Sequence, residues 1–263
     1  MSRPTRISYS FLNFIGVLAV IFVNALAVLL PINNLTTQEL SDKYPNLFVP
    51  AGITFSIWGI IYILLILFIV YQFVIAFKRK SDEKGIFEKI GILFFISCVF
   101  NIAWILAWHY EIVWLSLIIM VLLLISLMSI YIRLGIGRTG AGNTEKIFVD
   151  IPFSVYLGWI TIATIANVTA FLVKINWNKF GISEEIWAVI LIAVGVLITL
   201  IILFSRNDIF YSFVVIWALV GILLKRIADN GNPDQLVIIS SIAGISIIGL
   251  VIILQLIRKK RIY

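Results

Sequence analysis

Charged side chains are scarce in this sequence, 13% of the chain, and the cores of its longest apolar runs lack them altogether. Asp150 and Glu111 stand at run ends, and no Asp, Glu, Lys or Arg lies mid-run. Proton pumps, voltage sensors and ion-coupled carriers place an ionisable group at depth, so those classes are disfavoured. A retinal Schiff base would need a Lys well inside the last runs, and there is none. Cysteine and histidine occur once each, as Cys98 and His109, which excludes an intrachain disulfide and a Cys/His metal cluster. Cys98 reads as a small packing residue, and His109, at a run boundary beside Glu111, as an exposed polar one. The runs also lack paired carboxylates and a Ser/His/Asp set, which acid–base or nucleophilic catalysis requires. The expectation is therefore a protein that is not an enzyme.

What is present is apolar length. The chain is 62% hydrophobic with mean hydropathy +1.12, and a bilayer crossing needs about 20 apolar residues. Eight runs are read as crossings: 9–31, 50–77, 90–108, 112–134, 151–173, 186–204, 209–224 and 236–257. The seventh is the shortest, with Lys225 and Arg226 directly behind it. The expected fold class is an all-α polytopic membrane helix bundle of eight transmembrane helices in the lipid bilayer. Arg3 and Arg6 precede the first run, which is too long for a signal peptide and reads as an uncleaved anchor.

Net charge +7 does not point to nucleic acid, because of where the cations fall. With eight crossings one side receives Arg3, Arg6, Lys78, Arg79, Lys80, Lys84, Lys89, Arg133, Arg138, Lys146, Arg206 and the terminal Arg258, Lys259, Lys260 and Arg261. The other receives only Lys43, Lys174, Lys179, Lys225 and Arg226. This positive-inside asymmetry puts both termini in the cytoplasm, with the plasma membrane as the expected location. The segments 78–89 and 133–148 read as solvated inner connectors. Tyr131 and Arg133 read as an interfacial anchor rather than a sterol motif.

Inside the runs the polar groups are neutral. Asn24, Asn101 and Asn167 each need a partner for a buried amide, so each is expected to face the bundle. Counted from the nearer run end at 1.5 Å per residue, all three lie about 10 Å below the boundary on the side of the first loop. Aromatic stripes reach the same layer. Phe55, Trp58 and Tyr62 step by three and four, as do Asn101, Trp104 and Trp108, and Tyr156, Trp159, Ala163 and Asn167. Two readings stand side by side: a ligand pocket, or interhelical hydrogen bonding alone. Trp108, Trp114, Trp177 and Trp187 read as interfacial belt.

The run FVPAGITFSIWGIIY from Phe48 to Tyr62 resembles the second-helix entry of the translocator protein family, the tryptophan-rich sensory proteins. Asn101 with Trp104 resembles that family's third-helix Asn-x-x-Trp. Pro152, Tyr156 and Trp159, followed by Ala163 and Asn167, resemble its fifth helix. Departures are Pro50-Ala51 for Pro-Pro, one extra residue between Pro152 and Tyr156, and three appended helices. The resemblance, over about residues 10–174, implies a five-helix bundle (1–178) with a lid formed by the first loop, 32–47, and a three-helix extension (179–263). It implies a pocket lined by Trp58, Asn101, Trp104, Trp159, Ala163 and Asn167, which the stripes extend to Asn24, Phe55 and Tyr62. It further implies binding of a hydrophobic small molecule, porphyrin- or sterol-like, for sensing or transport. No cofactor is required; porphyrin or haem enters only as ligand, and a homodimer is admitted. A transporter of a neutral solute, or an enzyme acting on a lipid-soluble substrate such as a porphyrin, are the alternatives.

Overall fold

The structure is a computed structural model that describes residues 1–30, 32–78, 85–138, 140, 142–229 and 234–260, the last three without side chains. Pro31 and the cations Arg79, Lys80, Lys84 and Arg261 of the charge asymmetry lie outside the described residues. Among the described residues there are eight long helices: α1 (Arg3–Leu29), α2 (Ile57–Phe77), α3 (Leu93–His109), α4 (Val113–Leu134), α5 (Ile151–Lys174), α6 (Glu184–Arg206), α7 (Ile209–Ile227) and α8 (Gln235–Lys260). Seven are long and apolar enough to cross a membrane, and α3, with 17 residues, is the eighth apolar helix. There is no strand among the described residues.

The elements follow local chemistry. Ser2 caps α1, with Pro4 in its first turn; Ser183 caps α6, with Glu184 and Glu185 behind it. The run from residue 90 breaks at Gly91, whose φ of 51° separates the short helix Ile86–Ile90 from α3. The seventh run is longer than its apolar stretch, since Lys225 and Arg226 form the last turn of α7. The connector expected over 133–148 is shorter than the sequence suggests. Helix resumes at Asn143 and passes through a π-turn, Lys146–Asp150, into α5. Ile136 and Glu145 are buried there, so tertiary packing overrides a Gly-rich, charged composition.

α1 packs on α2 and α3, α3 on α4, α4 on α5 and α5 back on α2, closing a five-helix ring. α7 packs on α5, and α6 and α8 pack on α7 and on each other. Small residues permit the close approaches. Gly16 of α1 faces Cys98 of α3, and Gly158 of α5 faces the Tyr211 carbonyl of α7. Residues such as Phe22, Ile63, Leu197 and Ile239 remain exposed on the outside of the bundle, as an apolar solvent demands.

On the side of the chain's termini one carboxylate ties the start of α7 to α4 and α5. Asp208 Oδ1 accepts the Phe210 and Tyr211 N–H groups at 3.1 Å, capping α7, while Oδ2 accepts the Tyr131 hydroxyl at 2.8 Å and the Ser154 hydroxyl at 2.6 Å. Arg206 lies 4.9 Å above the Tyr131 ring and donates to the Ile136 carbonyl. Tyr131 is thus fully buried rather than an interfacial anchor.

Candidate functional site

The stretch between the first loop and α2 does not enter the membrane as regular helix. Asn46 closes a local turn, its Oδ1 accepting the Phe48 N–H at 3.0 Å. Pro50 and Ala51 then run extended into a 3-10 turn, Gly52–Ser56. α7 grips this entry: the Gly221 carbonyl accepts the Ala51 N–H at 2.9 Å, and the Trp217 indole donates to the Thr54 carbonyl at 3.0 Å. A Cβ on Gly221 would overlap Thr54 Oγ1, so only glycine fits.

The entry aims its aromatic stripe into the ring of helices. Trp58 stacks on Tyr62 with centroids 5.7 Å apart and on Trp104 at 6.3 Å, and presents an edge to Tyr156 and Trp159 at 6.2 Å. Phe55 meets Trp159 edge-on at 6.1 Å. Trp104 stacks on Trp108, and Trp108 meets Tyr44 of the first loop. The rings form a continuous ladder from the second turn of α2 up to the loop.

The three asparagines are buried and joined to other helices. Asn24 donates to Asn101 Oδ1 at 2.9 Å, and Asn101 Nδ2 donates to the Tyr156 hydroxyl at 3.1 Å. Asn167 Oδ1 accepts the Trp104 indole N–H at 3.0 Å, while its Nδ2 donates to Ser116 Oγ at 3.1 Å. A second amide pair was hidden in the sequence: Asn13 donates to Gln72 at 3.2 Å, both buried between α1 and α2. Below the amide layer Phe68, Phe94 and Phe153 pack edge-to-face with centroids 5.1 to 5.6 Å apart.

A cavity of about 50 Å³ lies above this layer. Its walls include Phe55, Trp58, Trp104, Trp159, Ala163 and Asn167, six of the expected site residues. Asn24, Tyr62 and Asn101 do not line it; the amides of Asn24 and Asn101 are spent on each other and on Tyr156, and Tyr62 lies behind Trp58. Trp108, expected in the interfacial belt, is instead buried in the cavity wall, whereas Trp114 is 57% exposed. Ala218 and Ile222 of α7 complete the wall, and Thr37, Ser41, Phe48 and Pro50 roof it. The α7 residues were missed because α7 carries no deep amide; the only pointer was the small pair Ala218 and Gly221 between Trp217 and Ile222. The indole nitrogens of Trp108 and Trp159 are buried and have no hydrogen-bond partner among the described residues.

The roof is latched. The helix Thr37–Asp42 begins with a capping box between Thr36 and Glu39, and Leu40 is buried beneath it. Lys43 donates to Glu111 Oε1 at 2.6 Å and Tyr44 to Oε2 at 3.1 Å, and Lys225 of α7 pairs with Asp42. Hydrogen bonding to Lys43 holds the Glu111 carboxyl below its ordinary value, and burial together with Glu111 raises the Tyr44 phenol to about 12. His109 is fully buried, not exposed as its boundary position suggested. Its Nδ1 contacts the Ile32 carbonyl at 3.0 Å, its Nε2 contacts Thr37 Oγ1 at 3.1 Å, and its own carbonyl accepts from Asn33.

Across residues 10–254 the chain matches the family described as TSPO-like protein. The chain belongs to the TSPO-like family. The match extends past residue 174, where the recognised motifs end, and takes in α6, α7 and most of α8 of this TSPO-like protein. No curated protein and no solved structure matches it. Among the described residues no group of His, Cys, Asp or Glu could hold a metal ion.

Proposed function

We propose that this TSPO-like protein binds a small, planar, largely apolar ligand in the cavity beneath the first loop, for sensing or transfer rather than catalysis. The observation that carries the reading is the indole-walled void roofed by a latched loop. Apolar walls with few polar groups are the usual make-up of a small-molecule site. Indole faces suit a flat guest. With the loop latched, about 50 Å³ admits a few waters, since one water needs about 10–15 Å³. A tetrapyrrole or sterol-like ligand therefore requires the roof to lift and Trp58 or Phe48 to turn. The Phe68–Phe94–Phe153 cluster beneath speaks for a blind pocket over a through-path for solutes. The cation distribution favours the loop side as outside and the termini as cytoplasmic. We treat 1–178 as the ligand-binding core and 179–263 as an extension that lends it one wall.

The test is a titration of intrinsic tryptophan emission with a graded series of flat aromatics, from a two-ring compound to protoporphyrin, in lipid nanodiscs. Saturable quenching that weakens about tenfold, or 1.4 kcal/mol, in Trp58→Leu is the expected result. Curves that are linear, or unaltered by the substitution, would refute the reading.

A further inference from the structure

We infer that a second hollow, between the loop-side ends of α5 and α6, seats the headgroup of a zwitterionic phospholipid, its phosphate on Lys179 and its ammonium on Glu184 and the Trp177–Trp187 pair. The site is distinct from the roofed cavity and independent of the ligand read there.

The hollow measures about 40 Å³ and shares only Phe48 with the walls of the roofed cavity. Trp177 follows α5 and Trp187 lies one turn into α6; their ring centroids are 4.9 Å apart at 64°. Phe180 meets Trp177 edge-to-face at 5.0 Å. The two indoles, expected as separate members of the interfacial belt, thus form one wall together with Lys179 and Glu184. Lys179 and Phe180 hold left-handed backbone, with φ of 57° and 54°. Residues other than glycine take that conformation at an energetic cost, and it gathers at ligand clamps. α5 ends at Lys174 and α6 begins at Glu184, so the charged rim lies where helices meet headgroups, while Leu172 and Leu191 continue the wall toward hydrocarbon. Charge above and leucine below is the profile of an amphiphile.

The rim carries one charge of each sign. Lys179 pairs with Glu184, the side chains being 34% and 57% exposed. An exposed ion pair holds weakly. A ligand bearing both charges can therefore exchange partners with it, phosphate to Lys179 and ammonium to Glu184, and no charge is left over. An ammonium against indole faces gains cation–π attraction, which is strongest for Trp. The hollow has room for a few waters or one ammonium group, and the phosphate and chains lie over its mouth. An anionic lipid would find a single cation there and be repelled by Glu184 and Glu185. The other described cations on this side are engaged: Lys43 with Glu111, Lys225 with Asp42, Arg226 with Asp234 and Lys174 over the Tyr44 ring. The polar side chains deeper in the hollow are committed as well, Asn46 Nδ2 to the Tyr44 carbonyl and Thr169 to the Ile165 carbonyl. Recognition thus falls on the ion pair and the indoles. A free headgroup would leave the two leucines bare, whereas the acyl chains of a lipid cover them.

The test uses the full chain in nanodiscs made from equal parts of phosphatidylethanolamine and phosphatidylglycerol with matched chains, released for native mass spectrometry. The wild type is expected to retain one phosphatidylethanolamine in about tenfold preference. Glu184→Gln removes the ammonium's partner and leaves Lys179 unopposed, so the preference should turn toward phosphatidylglycerol. Trp187→Leu should lower phosphatidylethanolamine retention about threefold or more without that reversal. A merely structural role for Glu184 would lower retention of both lipids alike. Excess glycerophosphoethanolamine, which has the headgroup and no chains, should not displace the lipid. Retained lipid that mirrors the mixture, preferential retention of phosphatidylglycerol by the wild type, or a wild-type preference intact in both variants overturns the assignment. Displacement by the soluble headgroup overturns the membrane as its source. The wild-type comparison needs no variant, so a variant that fails to fold does not shelter the proposal.

Discussion

The Trp104 indole N–H and the Asn167 amide oxygen meet at 3.0 Å across α3 and α5, and the same amide holds Ser116 of α4. Three helices therefore converge on one side chain that also faces the cavity. Asn167→Leu leaves the buried Trp104 indole N–H without its acceptor, while the Ser116 hydroxyl keeps its bond to the Val113 carbonyl, a loss of about 1–3 kcal/mol in water and nearer 1 in a membrane. A double-mutant cycle with Trp104→Phe, read by thermal unfolding in detergent, should show a coupling of about 0.5 kcal/mol or more. Additive losses would mean that the two groups do not depend on each other.

The latch on the roof has a pH sign. Glu111 is held below its ordinary value of 4.5 by Lys43. A lowered carboxylate contributes fully above that value and loses its contribution as the pH falls through the folded-state value. The off-rate of a bound probe should thus be flat from neutral pH down to about 4.5 and rise below it. In Glu111→Gln it should be faster throughout and flat. Stopped-flow recovery of tryptophan emission reads both.

α7 lines the cavity with Ala218 and Ile222. Ala218→Phe should fill part of the void and weaken binding of a two-ring probe by about tenfold or more. The substituted protein should still fold, since the void accepts part of the added ring. A binding isotherm identical to wild type would place the ligand elsewhere.

Gly221 offers a sharper perturbation. Gly221→Ala drives a methyl into Thr54 Oγ1 and should displace the 3-10 entry that aims Phe55 and Trp58. Overpacking of this kind costs about 1–3 kcal/mol. Adding Thr54→Ala should return part of the lost melting temperature. No recovery would mean that the strain lies elsewhere.

Asp208→Ala removes the cap of α7 and strips the Tyr131 and Ser154 hydroxyls of their acceptor. The cap alone is worth about 1 kcal/mol. The melting temperature should fall by more than it does for Ser183→Ala, which removes a cap and nothing else.

The eight helices were legible because lipid-facing surface must be apolar at every position, and hydropathy registers that directly. The inward facing of Asn24, Asn101 and Asn167 was legible as well, since an amide in hydrocarbon has few places to go. What escaped was whatever depends on neighbours. His109 and Trp108 sit at a helix end, where composition suggests water and headgroups; the folded first loop covers them instead. The turn at Asn143–Asp150 looks like a loop by its polar residues and becomes helix because α5 continues it inward. Stripe periodicity put Asn101 and Tyr62 on the right face without revealing that Tyr156 and Trp58 stand between them and the void. Ala218 and Ile222 were invisible because nothing in a one-dimensional pattern tells which apolar helix a ring of five will lean on.

The backbone bond from Ala51 to Gly221 makes the first five helices poor candidates for life on their own. Cutting the chain after residue 178 would bare the Ala51 amide and the Thr54 carbonyl to hydrocarbon just where the aromatic stripe begins. Such a fragment would be expected to precipitate or recruit a foreign helix. Minimal versions of this protein for spectroscopy or engineering should therefore be sought by trimming termini, never by excising the last three spans.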